Sequence, residues 1–149
     1  MCHSMGCALT LEALRAKAKR DGKIGDKVSN VLLVAPDVDV TLFRTQMEEM
    51  GDARPRFVLL LSQDDHALKI SKALWGGATR LGDIDPRFEP YKSDFRRERV
   101  VVLDLTHLNG DPHSRAFDQV QSVMGMIEHR LAEGQQLDED PSRTVVAIQ

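Results

Sequence analysis

Ser4 lies in a short segment whose spacing suits a serine nucleophile. The segment Cys2-His3-Ser4-Met5-Gly6 has the form small-x-Ser-x-Gly and stands directly before a helical pattern. Where a strand turns sharply into a helix, the middle residue is strained and the residues two positions away must be small. The backbone N–H of Met5 is then placed to donate to a developing oxyanion. The spacing predicts a nucleophile elbow, but a helix-capping serine beside a glycine has the same pattern, and both interpretations stay open.

Carboxylates and histidines follow Ser4 in the order that a serine nucleophile needs. Asp64 and Asp65 come after the second predicted strand, and His107 and His113 come after the third. A serine hydroxyl needs an imidazole to take its proton, and the imidazole needs a carboxylate to hold its tautomer. We favour His113 as the base because it lies in a Gly-Asp-Pro turn that can reach the site. His107, flanked by leucines in chain that reads as extended, is the alternative base.

The identity of the carboxylate has alternatives. Asp64 is expected to cap the helix that follows, which leaves Asp65 as the orienting acid, but the two roles can be reversed. Asp37 and Asp39 follow the preceding strand and offer a third possibility. We read that pair as a turn and a helix cap before Thr41.

Changes in the spacing of apolar residues along the chain predict the helices and strands that position these groups. Short, nearly continuous apolar runs alternate with helical patterns, which is typical of a parallel sheet covered by helices on both faces. The three predicted strands should lie side by side in sequence order, with right-handed crossovers. Functional groups then belong in the loops beyond the carboxyl ends of the strands. Helices are predicted at about 5–19, 41–50, 67–75 and 113–131, strands at 31–35, 57–61 and 100–105, and irregular chain at 78–99.

Several motifs together resemble a known family. The segments are His3-Ser4-Met5-Gly6 with the helix after it, and the stretches 31–39, 62–68 and 102–106. In order and spacing they closely resemble the carboxyl-terminal half of a bacterial α/β-hydrolase family of unknown function, DUF900, over about residues 2–120. The resemblance implies a serine hydrolase that acts on an ester or similar acyl substrate through an acyl-enzyme, without a metal or cofactor. It further implies that Ser4 is the nucleophile, Asp65 the acid and His113 the base.

The chain departs from the family at its beginning. A complete α/β-hydrolase has strands before the elbow, and one of their loops gives the second oxyanion donor. We therefore expect a partial, truncated hydrolase domain over 1–132 with little esterase activity, followed by a flexible tail over 133–149. The strand at 31–35 is expected to have an unpaired edge, which favours self-association. The alternative function is a catalytically inactive fragment that serves as a structural or partner-binding module.

Composition excludes several other classes of protein. The chain has 149 residues, a formal net charge of −3 and 42% hydrophobic residues, as expected for one globular domain. It has no apolar run of about 18 residues for a membrane span and no secretory signal, so a cytoplasmic location is the default. Mixed charges give no broad positive surface for nucleic acid. Cys2 and Cys7 lack zinc spacing, and we expect reduced thiols.

Overall fold

A computed structural model describes residues 1–63 and 77–106, the strand at 145–147, and the single residues Ile70 and Gly125. The helices predicted at 67–75 and 113–131 lie outside this part of the chain, apart from those two single residues. The described residues include five strands, all paired in parallel in sequence order. These strands are β1 (Cys2–His3), β2 (Asn30–Val34), β3 (Arg56–Leu61), β4 (Val100–Asp104) and β5 (Val145–Ala147).

The sheet confirms the predicted parallel fold and the side-by-side order of the three central strands. In the register of β2, β3 and β4, Val31 lies opposite Phe57, which in turn lies opposite Val100. β2 and β4 each end one residue earlier than predicted, although the N–H groups of Ala35 and Leu105 still donate to the Leu60 and Leu61 oxygens at 2.9 Å. Ala35 takes a positive φ of 42°.

The two ends of the sheet differ from the sequence interpretation. We expected no strand before Ser4, and this is wrong: Cys2 pairs with Leu33 and His3 with Val34 in a short strand β1. Two residues are too few to give a periodic signal, so the sequence pattern missed them. At the other edge, β5 lies within the segment predicted as a flexible tail and pairs with β4. The other residues of that segment lie outside the described part of the chain.

Three helices are described. The first two agree closely with the sequence pattern, and Asp39 caps the second by accepting a hydrogen bond of 2.9 Å from the Leu42 N–H. The third lies within the stretch predicted to be irregular, together with a 3₁₀ turn, and corrects that prediction. Its short core-facing side carries only Tyr91 and Phe95, too few for a recognisable period. The helices are α1 (Gly6–Asp21), α2 (Val40–Met50) and α3 (Tyr91–Arg97), and the 3₁₀ turn is Leu81–Asp83.

The core lies between one face of the sheet and the helices. Alternate residues of the central strands point to this face, as the two-residue period of a strand requires. Leu32, Val34 and Leu60, which alternate with them, are buried as well, so both faces of the central strands are shielded from water. The buried cluster on the helical face includes Cys7, Leu11, Val31, Leu33, Phe43, Met47, Phe57, Leu59, Leu61, Phe95, Val100 and Val102.

An ion network joins α1 to α2 at the surface. The Arg15 guanidinium contacts the carboxylates of both Glu12 and Glu49. Its hydrogen bond lowers the pKa of Glu12 to about 2, with a further contribution from the amide of Gln46. These contacts hold α2 against α1, the helix that follows Ser4.

The central strand gives a direct test of this packing. Leu59 is completely buried in β3, and Leu59→Ala should lower the free energy of unfolding by about 2–5 kcal/mol, because it leaves a cavity that the close-packed sheet cannot fill. Urea unfolding measures the change. Leu9→Ala on α1 is the control, since Leu9 is 75% exposed and its loss should change stability by less than about 0.5 kcal/mol. Equal effects of the two variants would contradict the described core.

Candidate functional site

Ser4 occupies the turn between β1 and α1. Its φ is +49°, a left-handed conformation that is costly for any residue with a Cβ. Three backbone hydrogen bonds fix the residue: its N–H donates to the Val34 oxygen at 3.0 Å, and its oxygen accepts from the N–H groups of Cys7 at 3.0 Å and Asp37 at 3.2 Å. A positive φ at a strand-to-helix turn is compatible with the predicted nucleophile elbow, and the role of Ser4 stays a prediction.

The residues around Ser4 support this geometry in part. Met5 precedes the first residue of α1, so its N–H belongs to the helix end where backbone N–H groups have no intrahelical acceptor. Gly6 does not bear out the steric argument made from the sequence. A Cβ added there would meet no other atom of the described structure within 4 Å, outside its own helix and chain neighbours.

A disulfide joins Cys2 and Cys7 across the turn at Ser4. Their Cα atoms are 5.0 Å apart, within the range that a disulfide spans. This corrects the expectation of reduced thiols. The turn at Ser4 folds α1 back against β1 and brings together two cysteines whose sequence spacing gave no signal of the contact. The cross-link ties the strand before Ser4 to the first turn of the helix after it.

The acidic residues after β2 have structural partners. Asp39 caps α2, which confirms its interpretation as a helix cap. Asp37 forms an ion pair with Arg80, whose Nε lies 3.2 Å from the Asp37 Oδ1, and both side chains are largely buried. The sequence pattern predicted a turn at Asp37 but no ion pair, because 43 positions separate the two members and no local pattern links them. The pair anchors the loop whose Asp37 N–H donates a backbone hydrogen bond to the Ser4 oxygen.

A second polar group lies at the carboxyl ends of β3 and β4. Asp104, the last residue of β4, is only 8% exposed and accepts hydrogen bonds from Thr106 and Gln63. Sequence analysis did not single out these three residues. The only local signal is a charged residue at the end of an apolar strand, which is unusual in a sheet buried on both faces.

The described residues do not include the proposed acids and bases. Asp64 and Asp65 follow Gln63 directly, and His107 follows Thr106, with His113 six residues further on. The ends of β3 and β4 lie at the same edge of the sheet as Ser4, because all strands are parallel. The approach of these side chains to Ser4 stays a prediction.

The described part of the chain has neither a metal-binding cluster nor a membrane-spanning helix. It holds no group of three or more His, Cys, Asp or Glu side chains placed to bind a metal ion. None of its helices has the length and apolar character needed to cross a membrane.

A parallel sheet whose strand turns through a positive-φ serine into a helix is found in the α/β-hydrolase class. The family model described as "Alpha/beta hydrolase of unknown function (DUF900)" matches residues 1–130. Because this match covers most of the chain, the protein belongs to that family, and the resemblance stated from the motifs is confirmed. No curated protein and no solved structure gives a match.

The strain at Ser4 predicts an ordering of stabilities. Ser4→Gly and Ser4→Ala both remove the hydroxyl, but only glycine adopts a positive φ without a Cβ clash. The glycine variant should therefore be more stable than the alanine variant by about 1 kcal/mol, the balance of relieved strain and added chain entropy. Urea unfolding measures the difference. An alanine variant at least as stable as the glycine variant would show that the elbow is not strained.

Proposed function

We propose that this chain is a serine hydrolase that cleaves an ester or similar acyl substrate through a covalent acyl-enzyme. The observation that carries the proposal is the positive φ of Ser4 at the β1–α1 turn, fixed by three backbone hydrogen bonds. This turn projects the residue from the carboxyl edge of the sheet, where functional groups of such folds lie. Family membership supports the same class of reaction.

The proposed mechanism assigns one role to each group. His113 takes the hydroxyl proton while the Ser4 oxygen attacks the acyl carbon, and Asp65 holds the imidazole in the required tautomer. The N–H of Met5 donates to the oxyanion that develops. The C–O bond to the alcohol then breaks, and the alcohol leaves with the proton from His113. A water molecule, deprotonated by the same imidazole, releases the acid and restores Ser4.

Three features of the proposal have alternatives. In the first alternative Asp64 is the acid instead of Asp65, and in the second His107 is the base instead of His113. In the third, the chain is a catalytically inactive structural or partner-binding module. The edge of β2 that was expected to be unpaired is covered by β1 at Leu33 and Val34, so that expectation is wrong for this part of the strand. Association with a second copy through the remaining part of the edge is part of the proposal.

Covalent labelling tests the nucleophile. A fluorophosphonate probe reports an activated serine without requiring turnover, and the full chain should incorporate one probe. Ser4→Ala should abolish labelling, because it removes the attacking oxygen. Ser29→Ala is the matched control, since Ser29 is an exposed serine before β2 and its loss should leave the labelling rate unchanged. Labelling that persists in Ser4→Ala would contradict the assignment.

The same assay separates the alternatives. His113→Ala should slow labelling by about 10²–10⁴-fold, the usual contribution of a general base, and His107→Ala should have little effect. Asp65→Asn should likewise have a larger effect than Asp64→Asn. If His107→Ala slows labelling more than His113→Ala, His107 is the base. If Asp64→Asn slows labelling more than Asp65→Asn, Asp64 is the acid. A chain that unfolds cooperatively but takes up no probe would favour the inactive module.

A further inference from the structure

The carboxylate of Asp104 is almost buried at the end of β4. A charge removed from water is costly unless hydrogen bonds compensate it. Here the Oδ1 atom accepts from the Thr106 N–H at 3.0 Å and also from the Thr106 hydroxyl. The Oδ2 atom accepts from the Gln63 side-chain amide at 3.0 Å. All three partners are donors, so the position suits an acceptor-only group such as an ionised carboxylate.

Thr106 links Gln63 to Asp104 by a second route. Its hydroxyl accepts a hydrogen bond of 3.0 Å from the Gln63 backbone N–H while it donates its single proton to Asp104. Gln63 is therefore held through both its backbone and its side chain. The ladder between β3 and β4 continues into this region, because the Leu105 N–H donates to the Leu61 oxygen at 2.9 Å. Two further hydrogen bonds, both donated by Gln63, thus join the chain leaving β3 to Asp104 and Thr106. Two more, from Thr106 to Asp104, fix the acceptors on the β4 side.

Each of the two chain segments leads into a proposed catalytic group. Asp65 comes two residues after Gln63 in the sequence, and the segment that carries His107 and His113 begins directly after Thr106. An acid and a base must keep hydrogen-bonding geometry with each other, and an error of about 1 Å costs about 10²-fold in rate. A link between the loops upstream of both groups restricts their relative movement.

We propose that Asp104 is a positioning residue that locks the loop after β3 to the loop after β4. Its link to the reaction rests on the proposed function, whereas the lock itself is a property of the fold. Without the carboxylate, the Thr106 donors and the Gln63 side-chain amide lose their common acceptor. The hydrogen bond from the Gln63 N–H to the Thr106 hydroxyl remains, but it no longer has a partner that fixes the hydroxyl, so both loops are loosened. An asparagine at this position keeps one acceptor for Thr106, and Gln63 can turn its amide to accept from the new NH₂ group.

The test compares the full chain with three variants. Asp104→Ala weakens the lock, and Asp104→Asn is the conservative variant expected to rescue it. Glu98→Ala is the matched control, because Glu98 is also a buried carboxylate, 8% exposed, but is paired with Arg54 near the amino end of β4. Hydrogen exchange over residues 62–70 and 105–113 reports the lock, and the rate of fluorophosphonate labelling reports the site.

The proposal expects Asp104→Ala to speed exchange in both loops and to slow labelling by about 10²-fold. The labelling rate of Asp104→Asn should remain within about tenfold of that of the unchanged chain, because this variant loses the free energy of about one hydrogen bond. Glu98→Ala should lower the melting temperature and leave labelling unchanged. If Asp104→Ala does not fold, Gln63→Ala takes its place and should speed exchange in both loops.

Three results would overturn the proposal. The first is unchanged labelling in Asp104→Ala, the second is faster exchange confined to the loop after β4, and the third is an equal loss of labelling in Glu98→Ala. An unchanged chain that takes up no probe refutes the proposed hydrolase instead. In that case exchange alone decides: release of both loops supports the lock, and release of one or neither refutes it.

Discussion

The hydrogen bond from the Ser4 N–H to the Val34 oxygen is the interaction on which the candidate site depends. It extends the parallel ladder between β1 and β2 by one residue beyond the end of β1. Ser4 is thereby held in the sheet on one side while the chain turns into α1 on the other. Ser4 takes a positive φ because this one residue must both hydrogen-bond to β2 and begin the turn into α1. α1 then packs its buried face against β2 and α2, and the disulfide between Cys2 and Cys7 ties the two sides of the turn together.

Residues with a strained backbone and buried charged side chains lie together at the carboxyl edge of the sheet. Ser4 and Ala35, which follow β1 and β2, are two of the three non-glycine residues with positive φ in the described part of the chain. The Asp37–Arg80 pair and the Asp104 network lie beyond the same strand ends. Such features cost stability, and they persist where the surrounding structure fixes them, most often at functional sites. The close-packed core around Leu33 and Leu59 provides that support.

The sequence predicted the features that leave a local pattern. The apolar runs of β2, β3 and β4 indicated a parallel sheet because strands buried on both faces need no polar alternation. The spacing around Ser4 indicated the turn. Neither β1 nor α3 has enough residues to show a period. Asp104 and Gln63 are 41 positions apart, and their pairing arises only when β3 and β4 align, so no local pattern marks it.

The most direct test of the proposed hydrolase is a crystal structure of the chain after reaction with a fluorophosphonate. The proposal predicts a phosphorus atom bonded to the Ser4 Oγ, with a nitrogen of His113 about 3 Å from that oxygen and a carboxylate oxygen of Asp65 on the other ring nitrogen. It also predicts the Met5 N–H about 3 Å from a phosphoryl oxygen. Phosphorus on another residue, or a modified Ser4 with no imidazole within hydrogen-bonding distance, would contradict the proposed mechanism.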